Sequence, residues 1–276
     1  MRAHLGGSSR QSLAIARTAL DAAVKSASAA DASRLSSDLF LAADVIGGQI
    51  SLRRALTDPA RSASDKAALV KDLFGSHVGA IALSIVSDIA AQRWSGSKDL
   101  ILVLEQLAVE AEASAANIAG ELDRVEDEFF AAAQAVASNF ELRKAFISPA
   151  DSSIKATLVS NILASQSPST QKLVTALVSN LRGRSIESAF DDFMYALAAR
   201  RNRVIALVRV ATELTSAQRE RLSAALTKQA GQPVRVNIEV DSSVVGGVSV
   251  QYADELVDAT VSTRLARAGR AVVGNK

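Results

Sequence analysis

A twelve-residue stretch occurs twice, ninety positions apart. Leu52-Arg53-Arg54-Ala55-Leu56-Thr57-Asp58-Pro59-Ala60-Arg61-Ser62-Ala63 aligns with Leu142-Arg143-Lys144-Ala145-Phe146-Ile147-Ser148-Pro149-Ala150-Asp151-Ser152-Ser153, with six of the twelve positions identical. After a one-residue deletion the match continues, Lys66, Ala67, Leu69 and Val70 against Lys155, Ala156, Leu158 and Val159; farther on, Val86-Ser87 matches Val178-Ser179 at a spacing of 92. A period near ninety is too long for two-helix solenoid repeats and suits a whole small helical domain. Two tandem bundles are therefore expected in the first two hundred residues.

Helical periodicity runs through both copies. Leu35, Leu39, Ala42 and Ile46 fall on one helical face, as do Leu13, Leu20 and Val24 in the segment before them. At Asp58-Pro59 and Ser148-Pro149 the residue before proline is pushed out of the helical region, so each copy should turn there. Ser62 with Asp65, and Ser167 followed by Pro168, mark helix starts. Apolar residues make up 49% of the chain and aromatics only 4%, so the core must be built from Ala, Leu, Val and Ile, a composition that favours packed helices.

Near Arg200 the period changes. Val204, Ala206, Val208 and Val210 alternate with other residues, and Val234, Val236, Ile238 and Val240 alternate with Arg235, Asn237, Glu239 and Asp241, which is the pattern of half-buried strands. Thr215 and Gln218 form a capping-box pattern opening a helix that runs to about Gln229. Gly246-Gly247 reads as a turn or bulge ahead of a strand through Val248, Val250 and Tyr252. A last helix is expected with Val261, Leu265, Ala268 and Val272 on one face. The fold class expected is mainly α: two tandem helical bundles, 1–94 and 95–201, followed by a small α+β domain, 202–276.

The residues offer none of the familiar catalytic patterns. There are no cysteines, so thiolate metal sites and cysteine nucleophiles are ruled out. His4 and His77 are the two histidines, His77 reading as a helix start, and neither has a carboxylate at ligand spacing. No Gly-rich loop leads into a helix, and no Gly-x-Ser-x-Gly elbow is present. No catalytic, metal or cofactor residue is assigned, and no cofactor is expected. Glu121, Asp123, Glu126, Asp127 and Glu128 spread over more than one helical face and read as solvated surface or as a complement to a helix dipole. No run reaches the ~20 apolar residues of a membrane span, and the N-terminus has no apolar signal-peptide core.

Residues 1–199 carry 19 basic against 22 acidic side chains, and residues 200–276 carry 12 against 7. A basic tail of this kind fits nucleic acid or an acidic protein surface, and charge does not choose between them. Around Arg200, Arg201, Arg203 and Arg209 the only nearby aromatics are Phe193 and Tyr195. Phe193 reads as core, so a hinge between bundle and sheet is the more economical reading of the cluster.

The segment Val234, Val236, Val240-Asp241, Val244, Gly246-Gly247-Val248, Val250, followed by Asp254, Val257-Asp258 and Arg264-Leu265, resembles the C-terminal signature of the F-type ATP synthase delta (OSCP) subunits. Residues from about Leu100 to Gln218, with Gly183-Arg184, resemble that family's N-terminal bundle. Ala253 stands where the family often has glycine, Ala259-Thr260 replaces a common Gly-Ser, and the extra first bundle is similar to the long actinobacterial form. The resemblance implies a non-catalytic stator subunit that holds N-terminal helices of the alpha subunits and the peripheral-stalk b subunit. It also implies a peripheral place on the cytoplasmic face of the cell membrane, reached through the complex. Expected head-binding positions are Leu107, Val174, Leu177, Val178 and Leu181 in the second copy; expected stalk-binding positions are Arg264, Leu265 and Arg267. The alternatives are a non-catalytic scaffold of another assembly, or a nucleic-acid-binding protein with a basic C-terminal domain.

Overall fold

The structure, a computed structural model, describes residues 5–200, 204–230, 234–241, 248–252 and 255–258. It is mainly helical and divides into two compact units, Met1–Leu197 and Ala198–Lys276.

The first unit holds α1 (Gly7–Val24), α2 (Ala29–Gly48), α3 (Ile50–Thr57), α4 (Ala63–Phe74), α5 (Ala80–Ala91), α6 (Asp99–Ile118), α7 (Leu122–Ser138), α8 (Phe140–Ile147), α9 (Ser152–Ile162), α10 (Pro168–Ser179) and α11 (Ile186–Ala199). Several starts follow from local chemistry. Ser28 and Asp31 close a full capping box on α2. The Ser62 hydroxyl accepts the Asp65 amide at 3.1 Å, and Ser167 accepts the Thr170 amide at 3.3 Å with Pro168 in the first turn. Both expected turns occur: α3 stops before Asp58-Pro59 and α8 before Ser148-Pro149, each pre-proline residue being extended at ψ 118° and 149°. His77 lies in the turn ahead of α5 and not at its start.

The repeat is visible as two matching helix series, α1 to α5 and α6 to α10. The buried stripe of α5 is Ala82, Ile85, Val86, Ile89 and Ala90; that of α10 is Thr170, Leu173, Val174, Leu177 and Val178. These superpose at a spacing of 88, so the Val86-Ser87 to Val178-Ser179 match is displaced by one helical turn. A four-residue slip keeps a residue close to its original face, which is why a short Val-Ser match cannot fix the register.

Packing joins the two copies in one continuous core. From Leu100 to Ala116 every residue of α6 except Leu102 is buried. That helix lies one period after α1, packs most extensively on α2, and also touches α1, α5, α7 and α10. Amphipathic surface helices hide one stripe; a helix hidden on all sides is an interior axle. Phe193 of α11 stacks on Phe40 of α2 (centroids 6.2 Å) and on Phe129 of α7 (6.1 Å), bridging both copies. The partition expected at residue 94 thus marks the repeat in the sequence, while contacts run freely across it.

In the second unit β1 (Val204–Val210), β2 (Val234–Val240), β3 (Val248–Tyr252) and β4 (Glu255–Asp258) form one sheet in the order β2-β1-β3-β4. β1 and β2 are parallel, joined through α12 (Ser216–Ala230), while β3 is antiparallel to β1 and β4 to β3. The α12 start is the expected capping box: Gln218 N donates to the Thr215 hydroxyl at 3.3 Å, and Thr215 N donates back to Gln218 Oε1 at 2.9 Å. Val208, Val210 and Leu226 form the core, flanked by Leu214, Leu222, Val236 and Ile238. The opposite face carries the cross-strand pair Arg209–Glu239 at 3.0 Å.

Candidate functional site

The chemistry of the first unit is concentrated on α6. Three glutamates interrupt its apolar surface, Glu105, Glu110 and Glu112, each 1% exposed. A buried carboxylate is tolerable only when paired and hydrogen-bonded. Each is, and each by a different part of the chain.

Glu105 accepts Arg182 Nε at 2.9 Å and Arg184 Nη2 at 2.7 Å. The same arginines reach Asp44 at 2.6 Å and Asp192 at 2.9 Å, so this cluster ties α2, α6, α11 and the loop after α10 together. The loop can present both guanidinium groups because Arg182 and Gly183 adopt positive φ, 55° and 79°. Glu110 accepts Arg17 Nε at 2.9 Å and Gln106 Nε2 at 2.8 Å, fixing α1. Burial alone would lower the Arg17 pKa, but its bonds to Glu110 outweigh that, and the net shift is upward. Glu112 accepts Lys172 Nζ at 2.9 Å and Ser169 Oγ at 2.7 Å from α10, and Ser33 Oγ at 3.0 Å from α2. These links hold the helices together.

Lys66 and Lys155, matched by the repeat, are both buried, 4% and 8% exposed. Lys155 Nζ donates to the Val178 carbonyl at 2.8 Å, at the C-terminal end of α10, where a cation complements the helix dipole. Burial lowers the pKa of both lysines.

The acidic run at the start of α7 is not all solvated surface as expected. Glu126 is 6% exposed. Glu128 Oε2 accepts Ser167 N at 2.8 Å, Ser167 Oγ at 2.6 Å and Thr170 Oγ1 at 2.7 Å, capping α10 from outside the helix, while Arg124 donates to Oε1 at 2.7 Å. Burial would raise its pKa, but these hydrogen bonds outweigh burial and hold it below the ordinary glutamate value. A folded-state pKa below the unfolded one gives stability that is present above the unfolded value and is lost as pH falls through the folded value. Glu128→Gln is expected to lower stability by about 1–2 kcal/mol at neutral pH and to flatten the loss seen on acidification. Urea melts from pH 6 down to pH 3, wild type beside variant, check this; parallel curves would refute it.

Of the expected head-binding positions, Leu107, Val174, Leu177 and Val178 are 0% exposed and Leu181 is half-buried against the same core. They are brought together, but beneath the surface. Arg264, Leu265, Arg267, Gly246 and Gly247, and the expected last helix, lie outside the described residues. Sequence reading missed the glutamates of α6. The available signal was three acidic residues within an apolar helical run, and their partners lie too far along the chain to be paired by spacing.

The profile of the ATP synthase delta (OSCP) subunit family matches residues 108–272, more than half of the chain. The chain belongs to the ATP synthase delta (OSCP) family. It is 42% identical over 266 residues to ATP synthase subunit delta of Streptomyces coelicolor, covering 96% of this chain and 97% of that protein. It is 40% identical to subunit delta of Streptomyces griseus, covering 98% and 100%. A chain of the Toxoplasma gondii mitochondrial ATP synthase hexamer is similar at 21% identity with a TM-score of 0.38, covering 60% of this chain and 97% of that one. The family match begins inside α6 and takes in the second copy and the C-terminal unit; the actinobacterial relatives extend across the first copy too. As a delta-family member the chain is a structural, non-catalytic subunit of ATP synthase and part of its stator. Among the described residues no helix is long and apolar enough to cross a membrane.

Proposed function

We propose that this delta-family chain links the catalytic alpha/beta head to the peripheral-stalk b subunit, so that rotation is coupled to proton-driven ATP synthesis at the cytoplasmic face of the cell membrane. The helical unit takes N-terminal helices of the alpha subunits, and the C-terminal unit holds b, with Arg264, Leu265 and Arg267 as its contacts. A stator must transmit torque without yielding. The buried, cross-paired α6 is the kind of element that resists shear, because sliding any neighbour would strand a charged group without its partner.

One observation guides where the head is gripped. On α10 the edge carrying Ser169 and Lys172 is occupied, through bonds to Glu112 and Ser33 of α6 and α2. At the spacing of 88 the equivalent positions on α5 are Ile81 and Ser84. Both are exposed, Ile81 by 53%. The second-copy residues Leu107, Val174, Leu177 and Val178 are buried in the core, while the α5 edge of the first copy offers an open apolar contact for an amphipathic helix beside an unoccupied edge.

The test is affinity purification of the tagged full chain from its own cells in mild detergent, followed by mass spectrometry. Alpha, beta and b subunits should be recovered together. Leu265→Asp should lose b and Ile81→Asp should lose the head subunits. Recovery of nucleic acid or unrelated proteins without synthase subunits would overturn the reading.

A further inference from the structure

A cavity of about 500 Å³ opens in the first unit where the two copies meet, between the C-terminal end of α2, α3, the start of α6 and the loop preceding α11. That volume is within the range of small-molecule sites, roughly 300–1,000 Å³. Its walls are largely apolar, with Leu5, Ile101 and Leu102 facing it beside Gly47 and Gly48. Four cationic side chains also line it, Arg53, Lys98, Arg182 and Arg184, against one carboxylate, Asp192.

The four cations are not equivalent. Arg182 and Arg184 have all their guanidinium nitrogens engaged, with Glu105, Asp44, Asp192 and the backbone carbonyls of Ala43 and Leu181. They set the local potential but are committed to holding the fold. Arg53, which also lines the cavity, is far less committed: among the described residues its guanidinium makes only a long 3.5 Å contact, from Nη1 to the Gly47 carbonyl. Lys98, on the rim, is exposed. The first turn of α6 supplies Ile101 and Leu102, and the positive end of its dipole there is offset by its own Asp99.

We propose that this cavity is a binding site for a small organic anion with an apolar body, its carboxylate or phosphate group bound by Arg53 and Lys98 and its body lying against Leu5, Ile101 and Leu102. The apolar walls select against inorganic anions, and the weakly engaged Arg53 guanidinium with Lys98 selects against neutral apolar molecules. Because the cavity lies where the two copies meet, its occupant would brace the first copy against the second.

The test is isothermal titration of the full chain with 2-naphthoate and with its neutral counterpart 2-naphthol. Naphthoate is expected to bind saturably and about tenfold more tightly than naphthol, the difference made by one charge-assisted hydrogen bond. Arg53→Gln should weaken naphthoate about tenfold and leave naphthol unchanged, while Arg143→Gln, at the matching position of the second copy, should change neither. If Arg53→Gln does not fold, Lys98→Gln at the exposed rim carries the same comparison. Displacement of bound naphthoate by hexanoate or by hexyl phosphate supports the site and assigns its preferred anionic group. Equal affinity for naphthoate and naphthol, binding unaffected by both substitutions, or no saturable naphthoate binding would each overturn the proposal.

Discussion

Glu105→Ala is expected to destabilise the helical unit by about 3–5 kcal/mol, the cost of stripping the shared carboxylate from buried guanidinium groups. Glu105 is 1% exposed and accepts from Arg182 and Arg184 at 2.9 and 2.7 Å. Those arginines are themselves only 11% and 13% exposed. Asp44 and Asp192 remain to them in the variant, which places the loss in the lower part of that range. Stability is only about 5–15 kcal/mol for an ordinary domain, so a loss of this size removes a large share of it. The chain contains a single tryptophan, Trp94, whose indole N–H donates to the Ile89 carbonyl at 3.2 Å inside the first unit. Its fluorescence therefore reports that unit alone during urea unfolding. A midpoint shift corresponding to less than about 1 kcal/mol would show that the cluster is replaceable by water, contrary to the burial argument.

Leu107→Ala and Ile81→Asp should give opposite results in two assays. Leu107 is 0% exposed on a helix with neighbours all round, and its truncation should cost about 2–5 kcal/mol through lost burial and the residual cavity. Assembly with synthase subunits should fail only to the degree that the unit unfolds. Ile81 is 53% exposed at the second position of α5, where an aspartate complements the helix dipole, so stability should change by less than about 0.5 kcal/mol. Recovery of the head subunits should nonetheless fall at least severalfold. If Ile81→Asp retains the head fully while Leu107→Ala loses it without loss of Trp94-monitored stability, the grip lies on the second copy after all.

The family is legible in the sequence, because its C-terminal signature lies in side-chain types at fixed spacing: Val234, Val236, Val240-Asp241 and Gly246-Gly247-Val248. Strand alternation in β1 and β2 was equally plain. The β4 strand was not, since Glu255–Asp258 is four residues long and becomes a strand by pairing with β3. That β2 lies beside β1 in parallel while β3 takes the other edge of β1 also escaped local pattern. Pairing partners are chosen by long-range hydrogen bonding, and the period of a strand says nothing about its neighbour.

The expected head-binding positions show the same division more sharply. Leu107, Val174, Leu177 and Val178 are apolar and helically spaced, which identifies a face but not what covers it. Tertiary packing covered it with the rest of the chain.

By itself, then, the sequence determined the local and the repeated: helix starts at Ser62, Ser167 and Thr215, turns before Pro59 and Pro149, the period near ninety, and the delta-family pattern. These depend on residues close together or on matching one stretch with another. Only the tertiary structure decided that α6 would be the axle of a single unit, that Glu105, Glu110 and Glu112 would be buried among arginines and lysine from as far as ninety-three residues away, and which apolar positions would remain outside. Burial is a property of what surrounds a residue, and the surroundings of α6 are assembled from helices remote in the chain.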